Sequence, residues 1–235
     1  FSLKNKKIIV VGGSRGIGKQ ISLAYLKFGA KVIVLGRSKI NLKQKNYNYL
    51  QCDINNIQEV NKAYIFIKKN FNKIDVIVNC AGISLSSNLK ANDDKNFEKI
   101  INNNSISIYR TASNLISLLN KKSSIINVSS IASYSGFPNN PGYITSKSGL
   151  SGLTRSLAYD LSPSKIRVNN LVLGYIKTNM TKDSYYNKKK YKIRQDNTLL
   201  KRWGKLSDVV GPAIFLASDS SAYITGSDII VDGGW

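Results

Sequence analysis

The amino-acid sequence predicts an α/β fold: a single doubly wound domain over residues 1–235, with a parallel sheet of about seven strands flanked by helices. Two observations carry this. Short apolar runs recur along the whole chain, and amphipathic stretches long enough for crossover helices lie between them, the pattern of repeated βαβ units. No internal repeat or linker divides the 235 residues, and their 42% hydrophobic content is enough for one large buried core.

In chain order the strands fall at Ile8 to Val11, Lys31 to Leu35, Tyr49 to Cys52, Val76 to Asn79, Ser124 to Val128, Arg167 to Leu173 and Asp228 to Val231. The runs are bounded by charge or glycine, as in "KKIIVVG" and "KIDVIVNCAG". A membrane-spanning helix needs about 20 consecutive apolar residues, so the chain reads as soluble, with no membrane partner. Helical patterns cover Gly16 to Phe28, Ile57 to Asn70, a long Asp94 to Leu119, Tyr143 to Leu161 and a short Ser207 to Ala217. "LSPSK" and the Gly233-Gly234 pair are turn punctuation. The stretch from Gly36 to Asp53 is short, so the crossover between the second and third strands has room for little helix.

Lys+Arg number 35 against 13 Asp+Glu, a formal net charge of +22, and there is no histidine. Such a field attracts anions: nucleic acid, a phosphorylated cofactor, or an acidic protein that delivers substrate. The lysines are scattered among Asn, Ile and Tyr instead of clustered, which favours residue bias over a nucleic-acid surface. The densest run, "NKKKYKIR" from Asn187 to Arg194, is the one place where a local role stays open. Cys52 and Cys80 each close a predicted strand and read as packed thiols, not a disulfide. The N-terminal "FSLKNKK" has no long apolar region that would direct export, so a cytoplasmic location is expected.

"IIVVGGSRGIGKQISLAYLKFGA" reads strand, glycine-rich turn, helix, the order a Rossmann-type dinucleotide site requires. Glycines let the backbone turn sharply and approach a pyrophosphate, and the helix N-terminus then faces the anion with free N–H groups and its positive dipole end. The turn supplies Gly12, Ser14, Arg15, Gly16, Ile17 and Gly18 as cofactor-binding residues. At the end of the second strand a carboxylate accepts from a free ribose 2′-OH, whereas arginine accommodates a 2′-phosphate. Here Gly36 is followed by Arg37, and Arg15 lies inside the turn, so the expected cofactor is NADP(H), with NAD(H) open. The competing reading makes both arginines solvated loop cations. Asp53 and Ile54, after the third strand, are placed for the adenine; the alternative role of Asp53 is to cap the helix beginning near Ile57.

Taken in order, "VGGSRGIG", "NCAG" (Asn79 to Gly82), "INNNS", "NVSS" and "YITSK" resemble the short-chain dehydrogenase/reductase family across essentially the whole chain, nearest in texture to its 3-oxoacyl-carrier-protein reductases. The chain departs from the family pattern at Val11 for a usual threonine, at Cys80 for a usual asparagine, and at Leu173 for a usual proline. The resemblance implies four catalytic residues. Tyr143 is the acid/base and Ser130, thirteen residues before it, holds the carbonyl oxygen; Lys147 tunes the tyrosine and binds the nicotinamide ribose; Asn104 holds a water that relays protons. Spacing selects Ser130 over the adjacent Ser129, and Asn104 from its asparagine run. It implies further cofactor contacts at Asn79, Ala81 and Gly82, and at Gly174, Ile176 and Thr178 of "LVLGYIKTNM", and no metal. Leucine for proline at Leu173 loosens a fixed φ, which puts cofactor affinity or loop order in doubt.

The residues carry their own logic. Tyr143 and Lys147, at i and i+4, share one helix face, which brings an ammonium close to the phenol. Lowering a tyrosine from about 10 to about 7 takes roughly 4 kcal/mol of preferential phenolate stabilisation, of which a nearby lysine supplies a good part. That lets a phenol stand in for the absent histidine.

The resemblance thus implies hydride transfer between nicotinamide and a ketone or secondary alcohol, best a 3-oxoacyl thioester on its acidic carrier protein. The alternatives are a sugar, polyol or small ketone substrate, and, from another class, a non-catalytic NADP(H)- or nucleic-acid-binding protein. Thr181 to Lys201 is expected to form a flexible flap over the substrate. The family assembles as dimers or tetramers through the two long helices and the last strand, so a homo-oligomer is expected.

Overall fold

Aliphatic runs between charged or glycine boundaries fold into seven strands of one parallel sheet. The computed structural model describes residues 1–38 and 44–235. The chain runs β1 (Lys7–Val11), α1 (Gly16–Lys27), β2 (Lys31–Gly36), β3 (Tyr47–Gln51), α2 (Ile57–Phe71) and β4 (Ile74–Asn79). It continues through α3 (Asp94–Ile101), α4 (Ser107–Leu115), β5 (Leu119–Ser130), α5 (Pro141–Asp160) and β6 (Arg167–Leu173). Then come α6 (Lys182–Tyr185), α7 (Lys188–Asp196), α8 (Leu206–Ala217) and β7 (Asp228–Val231). Helices cover both faces, so the inner strands are buried on both sides, with Ile8, Ile9, Val10 and Ile77 wholly shielded. On one face α1 and α8 pack together, and the buried Tyr25 hydroxyl donates to the Ala213 carbonyl at 3.0 Å.

The strands are ordered β3-β2-β1-β4-β5-β6-β7, so the order reverses between β1 and β4, each of which runs on to its own side of the sheet. The carboxyl ends of these two strands therefore diverge into a crevice, the position where doubly wound folds bind ligands.

The structure corrects several expectations. The single helix expected over Asp94 to Leu119 is interrupted by a π turn at Asn102–Ile106 that separates α3 from α4, and β5 already begins at Leu119. Asn103 and Asn104 are buried in that turn, and the Asn104 carboxamide is drawn to the backbone of Ile83; widening the helix by one residue satisfies both. The α2 cap is Asn56, not Asp53: its Oδ1 accepts from Gln58 N at 3.0 Å and Glu59 N at 3.3 Å. Leu173 lies in β6, paired with Ser130 and Val231, where a proline would have no N–H to give the ladder. The β2–β3 crossover partly falls on residues 39–43, outside the described residues; between Gly36 and Tyr47 the described ones hold no helix. Cys52 and Cys80 are free thiols, as expected of packed positions, and burial pushes them up to about 11 and about 12. No helix of the described residues is long and apolar enough to cross a membrane.

Candidate active site

The glycine turn follows β1 directly. At Gly12, φ is +81°, and a Cβ there would lie 2.5 Å from the amide nitrogen of Ala81, so the turn presses against the end of β4 in a way only glycine permits. Gly18 is needed for the same closeness within the turn, where a Cβ would meet the Gly12 carbonyl oxygen at 2.4 Å. Around Gly16 the space is open. The first turn of α1 has no acidic residue, and its N-cap, Arg15, makes no capping side-chain bond. The N–H groups there are left to an outside acceptor, so the residues present fit a pyrophosphate.

Gly36, at the end of β2, abuts this turn: a Cβ would lie 3.0 Å from the Ser14 hydroxyl. Arg37 follows it, and Arg15 and Arg37 are both exposed. Neither pairs with a carboxylate among the described residues. Ile54 is buried, and Asp53 Oδ1 accepts from the amide and side chain of Asn55, which shapes the loop after β3. Arg110 on α4 donates to the carbonyls of Ile54 and Asn55 and ties down the same loop. Ala81 and Gly82 line the crevice beside Gly12, whereas Asn79 turns its side chain inward, Nδ2 donating to Asn127 Oδ1 at 2.8 Å. The Asn79 Oδ1 is buried and meets no donor among the described residues.

Four residues from three elements converge beside the crevice. Ser130 ends β5, Tyr143 and Lys147 lie on the first turns of α5, and Asn104 lies in the π turn. Ser130, not the buried Ser129, presents its hydroxyl to the Tyr143 phenol. Lys147 is buried; its Nζ donates to the Val128 carbonyl at 2.8 Å and lies 5.8 Å from the centre of the Tyr143 ring. Asn104 Oδ1 accepts from Ile83 N at 2.9 Å, and both hydrogens of its amide are used, on the Ile83 carbonyl and the Ser146 hydroxyl. Any water held by this carboxamide must donate to it.

The electrostatics differ from the simple lysine-tunes-tyrosine picture. Burial holds the Tyr143 phenol above its ordinary pKa, the Ser130 hydrogen bond opposing and Tyr175 adding to the rise. Burial also pulls the Lys147 ammonium down to about 8. The site thus keeps a protonated tyrosine beside a lysine that is still mostly charged at pH 7 but loses its proton near pH 8.

Across from Tyr143 stands an aromatic wall that sequence periodicity does not reveal. Tyr175, after β6, has Trp235 at 4.9 Å, Trp203 at 5.4 Å and Phe137 at 6.3 Å between ring centroids, with the Arg194 guanidinium 4.6 Å over its face. The flap tyrosines close the set: Tyr191 stacks on Trp203 at 5.7 Å and Tyr185 meets it edge-on at 5.2 Å. Thr178 pairs with Thr181, whose hydroxyl donates to the Ile176 carbonyl at 2.7 Å, and a Cβ on Gly174 would lie 2.6 Å from Asp232 Cα. A cavity of about 410 Å³ opens behind Tyr175 toward Ile230 and Gly234; it includes none of Ser130, Tyr143 and Lys147, so it is not where their hydroxyls and ammonium converge. Ser146, absent from the sequence reading, braces Asn104; the signal for it was its place beside Lys147 in "YITSK".

Strand order, switch-point crevice and glycine turn make this a Rossmann-type α/β protein with polar residues gathered at the crevice mouth. The profile of the family described as enoyl-(acyl carrier protein) reductase matches residues 11–235. The chain is 35% identical to a 3-oxoacyl-[acyl-carrier-protein] reductase of Chlamydia trachomatis, over 99% of this chain and 98% of that protein. It is 31% identical to a 2-dehydro-3-deoxy-D-gluconate 5-dehydrogenase of Pseudoalteromonas atlantica, over 100% of this chain and 97% of that one. Among solved structures, the ligand-free aldohexose dehydrogenase of Thermoplasma acidophilum superposes with a TM-score of 0.91 at 30% identity, covering 99% of this chain and 94% of that one. The chain belongs to the short-chain dehydrogenase/reductase family, a family of oxidoreductases.

Proposed function

We propose that this chain, as one domain, is an NADP(H)-dependent carbonyl reductase whose substrate is a 3-oxoacyl thioester presented by an acidic carrier protein. The observation that carries the reading is the convergence of Ser130, Tyr143 and Lys147 beside the glycine-turn crevice. The bound cofactor would supply hydride to the carbonyl carbon. Gly12, Ser14, Arg15, Gly16, Ile17 and Gly18 would hold its pyrophosphate, Arg15 and Arg37 its 2′-phosphate, and Asp53 and Ile54 its adenine. Ser130 donates a hydrogen bond to the substrate carbonyl oxygen and stabilises the negative charge that grows there. Tyr143 delivers its proton to the same oxygen, for which a phenol held protonated by burial suits the reductive direction. Lys147 keeps positive charge near the phenolate left behind, and Asn104 fixes the Ile83 segment that walls the site.

A second reading takes a sugar acid or other small polyol as substrate; it is favoured by the 31% identity to a 2-dehydro-3-deoxy-D-gluconate 5-dehydrogenase and by the aldohexose dehydrogenase fold match. The net charge of +22 suits either an acidic carrier or a carboxylate substrate. A homo-oligomer, dimer or tetramer, fits the exposed apolar side chains Ile106 at the end of the π turn, Tyr109 on α4, Tyr159 on α5 and Ile230 on β7. The deciding experiment incubates the protein with NADPH and acetoacetyl thioesters, then with a panel of keto sugar acids. Oxidation of NADPH that disappears in Tyr143→Phe supports the enzyme reading, and the preferred substrate chooses between the two. No Tyr143-dependent oxidation with any carbonyl would sink it.

A further inference from the structure

Four residues occupy one rung across four neighbouring strands: Asn79 on β4, Asn127 on β5, Asn170 on β6 and Asp228 on β7. Their side chains are linked under α5. Asn79 Nδ2 donates to Asn127 Oδ1 at 2.8 Å, Asn127 Nδ2 to the Thr154 hydroxyl at 2.8 Å, and that hydroxyl to Asn170 Oδ1 at 2.7 Å. Asn170 Nδ2 donates to Asp228 Oδ1 at 2.6 Å, and the Tyr134 hydroxyl donates to the other carboxylate oxygen. Every link runs in the same sense, from amide or hydroxyl toward a carboxylate, so each bond polarises the next. Asn127, Thr154 and Asn170 are completely buried.

The buried face of α5 explains what this line of amides is for. It consists of Gly142, Ser146, Lys147, Leu150, Ser151, Thr154 and Ala158, with only two apolar side chains longer than glycine's hydrogen, one of them a single methyl. Apolar packing is non-directional, so Leu150, Ala158 and the partly buried Leu157 and Leu161 hold α5 on the sheet but leave how far it slides or rotates to contacts that have direction. Directional contacts with the sheet are Lys147 Nζ on the Val128 carbonyl, Thr154 on Asn127 and Asn170, and a longer bond from Asn170 Nδ2 to the Ser151 hydroxyl at 3.4 Å, while Ser146 ties the start of the helix to Asn104. Lys147 and Thr154 are two helical turns apart on one face.

We propose that Thr154, held by the Asn79–Asn127–Asn170–Asp228 ladder, is a positioning residue that sets the register of α5 and so the placement of Tyr143 and Lys147 against Ser130. The proposal rests on the catalytic reading of those three residues. It assigns a task to Asp228, at the open edge of the sheet, which otherwise has none.

The test compares Thr154→Val, which keeps shape and loses the hydroxyl, with Thr154→Ser, which restores it. Both are measured as full-length protein. For Thr154→Val, kcat is expected to fall about 10- to 100-fold, the order that a small misplacement of reacting groups costs, while KM for the carbonyl moves less than about threefold. Amide exchange over 141–150 should quicken about tenfold or more, and Thr154→Ser should return both readouts to within about threefold of the parent. Asp228→Ala, at the partly exposed end of the ladder, keeps the test open where Thr154→Val fails to fold; it should quicken exchange over the same segment. Unchanged kcat and exchange in the folded variants, or activity loss that merely follows the unfolded fraction, would overturn the proposal. A parent protein that turns over no carbonyl fails the catalytic reading instead, and the exchange comparison still reads the ladder.

Discussion

Lys147 gives its short hydrogen bond not to Tyr143 but to the carbonyl of Val128, at 2.8 Å, while its charge lies 5.8 Å from the centre of the tyrosine ring. The ammonium is thus held against the sheet as a buried cation with no carboxylate partner among the described residues, and burial pulls it down to about 8. Such a group is a liability for folding. Below pH 8 it is protonated in both folded and unfolded chains, and its burial penalty is fully felt. Between about 8 and about 10.4 the folded protein releases the proton first, and the penalty fades. Lys147→Met should therefore be more stable than the parent at pH 7, by about 1–3 kcal/mol once the orphaned Val128 carbonyl is set against the relief, and inactive. Urea midpoints of the two proteins at pH 7 and pH 10 check this: the advantage must shrink at the higher pH.

Tyr143 titrates in the opposite direction from what its lysine neighbour alone suggests, because burial outweighs the Ser130 hydrogen bond. Its phenol is fully protonated at neutral pH, so carbonyl reduction should be independent of pH between 6 and 7. As kcat/KM reports the free enzyme, a descending limb near pH 8 should mark the loss of the Lys147 proton. Alcohol oxidation, which needs the phenolate, should instead rise with pH. Tyr143→Phe should lower kcat by about 10²- to 10⁴-fold in both directions. A reductive rate that climbs from pH 6 to 8 would contradict this ordering of the two groups.

Local pattern made much of this legible before the structure. β1, β2, β6 and β7 were readable because apolar runs end at charge or glycine, and the glycine turn and the Tyr143–Lys147 pair because their chemistry is set by spacing within one element. What stayed hidden depends on partners far along the chain. The π turn exists because Asn104 reaches Ile83, twenty-one residues earlier, and Ser146 on another helix. Helical periodicity, which runs through Asp94 to Leu119 without a break, has no way to register that. The raised pKa of Tyr143 comes from burial, and the aromatic wall around Tyr175 from four segments, so neither is a property of "YITSK" or of "LVLGYIKTNM" alone. The cap of α2 was a closer miss: Asp53 and Asn56 both have the chemistry, and only the geometry of the loop selects Asn56.

Gly12 should be among the least replaceable residues. With φ at +81° and an added Cβ at 2.5 Å from Ala81 N, alanine meets both an unfavourable backbone conformation and a clash with main chain that cannot rotate away. Gly12→Ala is expected to cost at least about 2 kcal/mol and several degrees of melting temperature. Gly16→Ala, with positive φ but open space, should cost less in stability. Its methyl would project into the space where the pyrophosphate is expected, so its effect should fall on cofactor affinity. Melting curves and cofactor titrations of the two variants separate these effects.

Arg37 and Arg15 offer the sharpest check on cofactor choice. Both are exposed, and neither pairs with a carboxylate among the described residues, so removing either should leave stability within about 0.5 kcal/mol of the parent. A hydrogen bond to a charged group contributes about 1.5–3 kcal/mol, or roughly 10- to 100-fold in binding. If Arg37 meets a 2′-phosphate, Arg37→Ala should raise KM for NADPH by that factor while leaving NADH nearly unchanged. Arg37→Asp, which places a carboxylate at the end of β2 where a free ribose 2′-hydroxyl can donate to it, should go further and favour NADH. Added salt should weaken NADPH binding more in the parent than in Arg37→Ala, because the contact being screened is present only in the parent. An unchanged KM for both cofactors in Arg37→Ala would mean that Arg37 is a solvated loop cation and that the 2′-phosphate, if recognised at all, is met by Arg15; equal losses would place Arg37 against a part that both cofactors share.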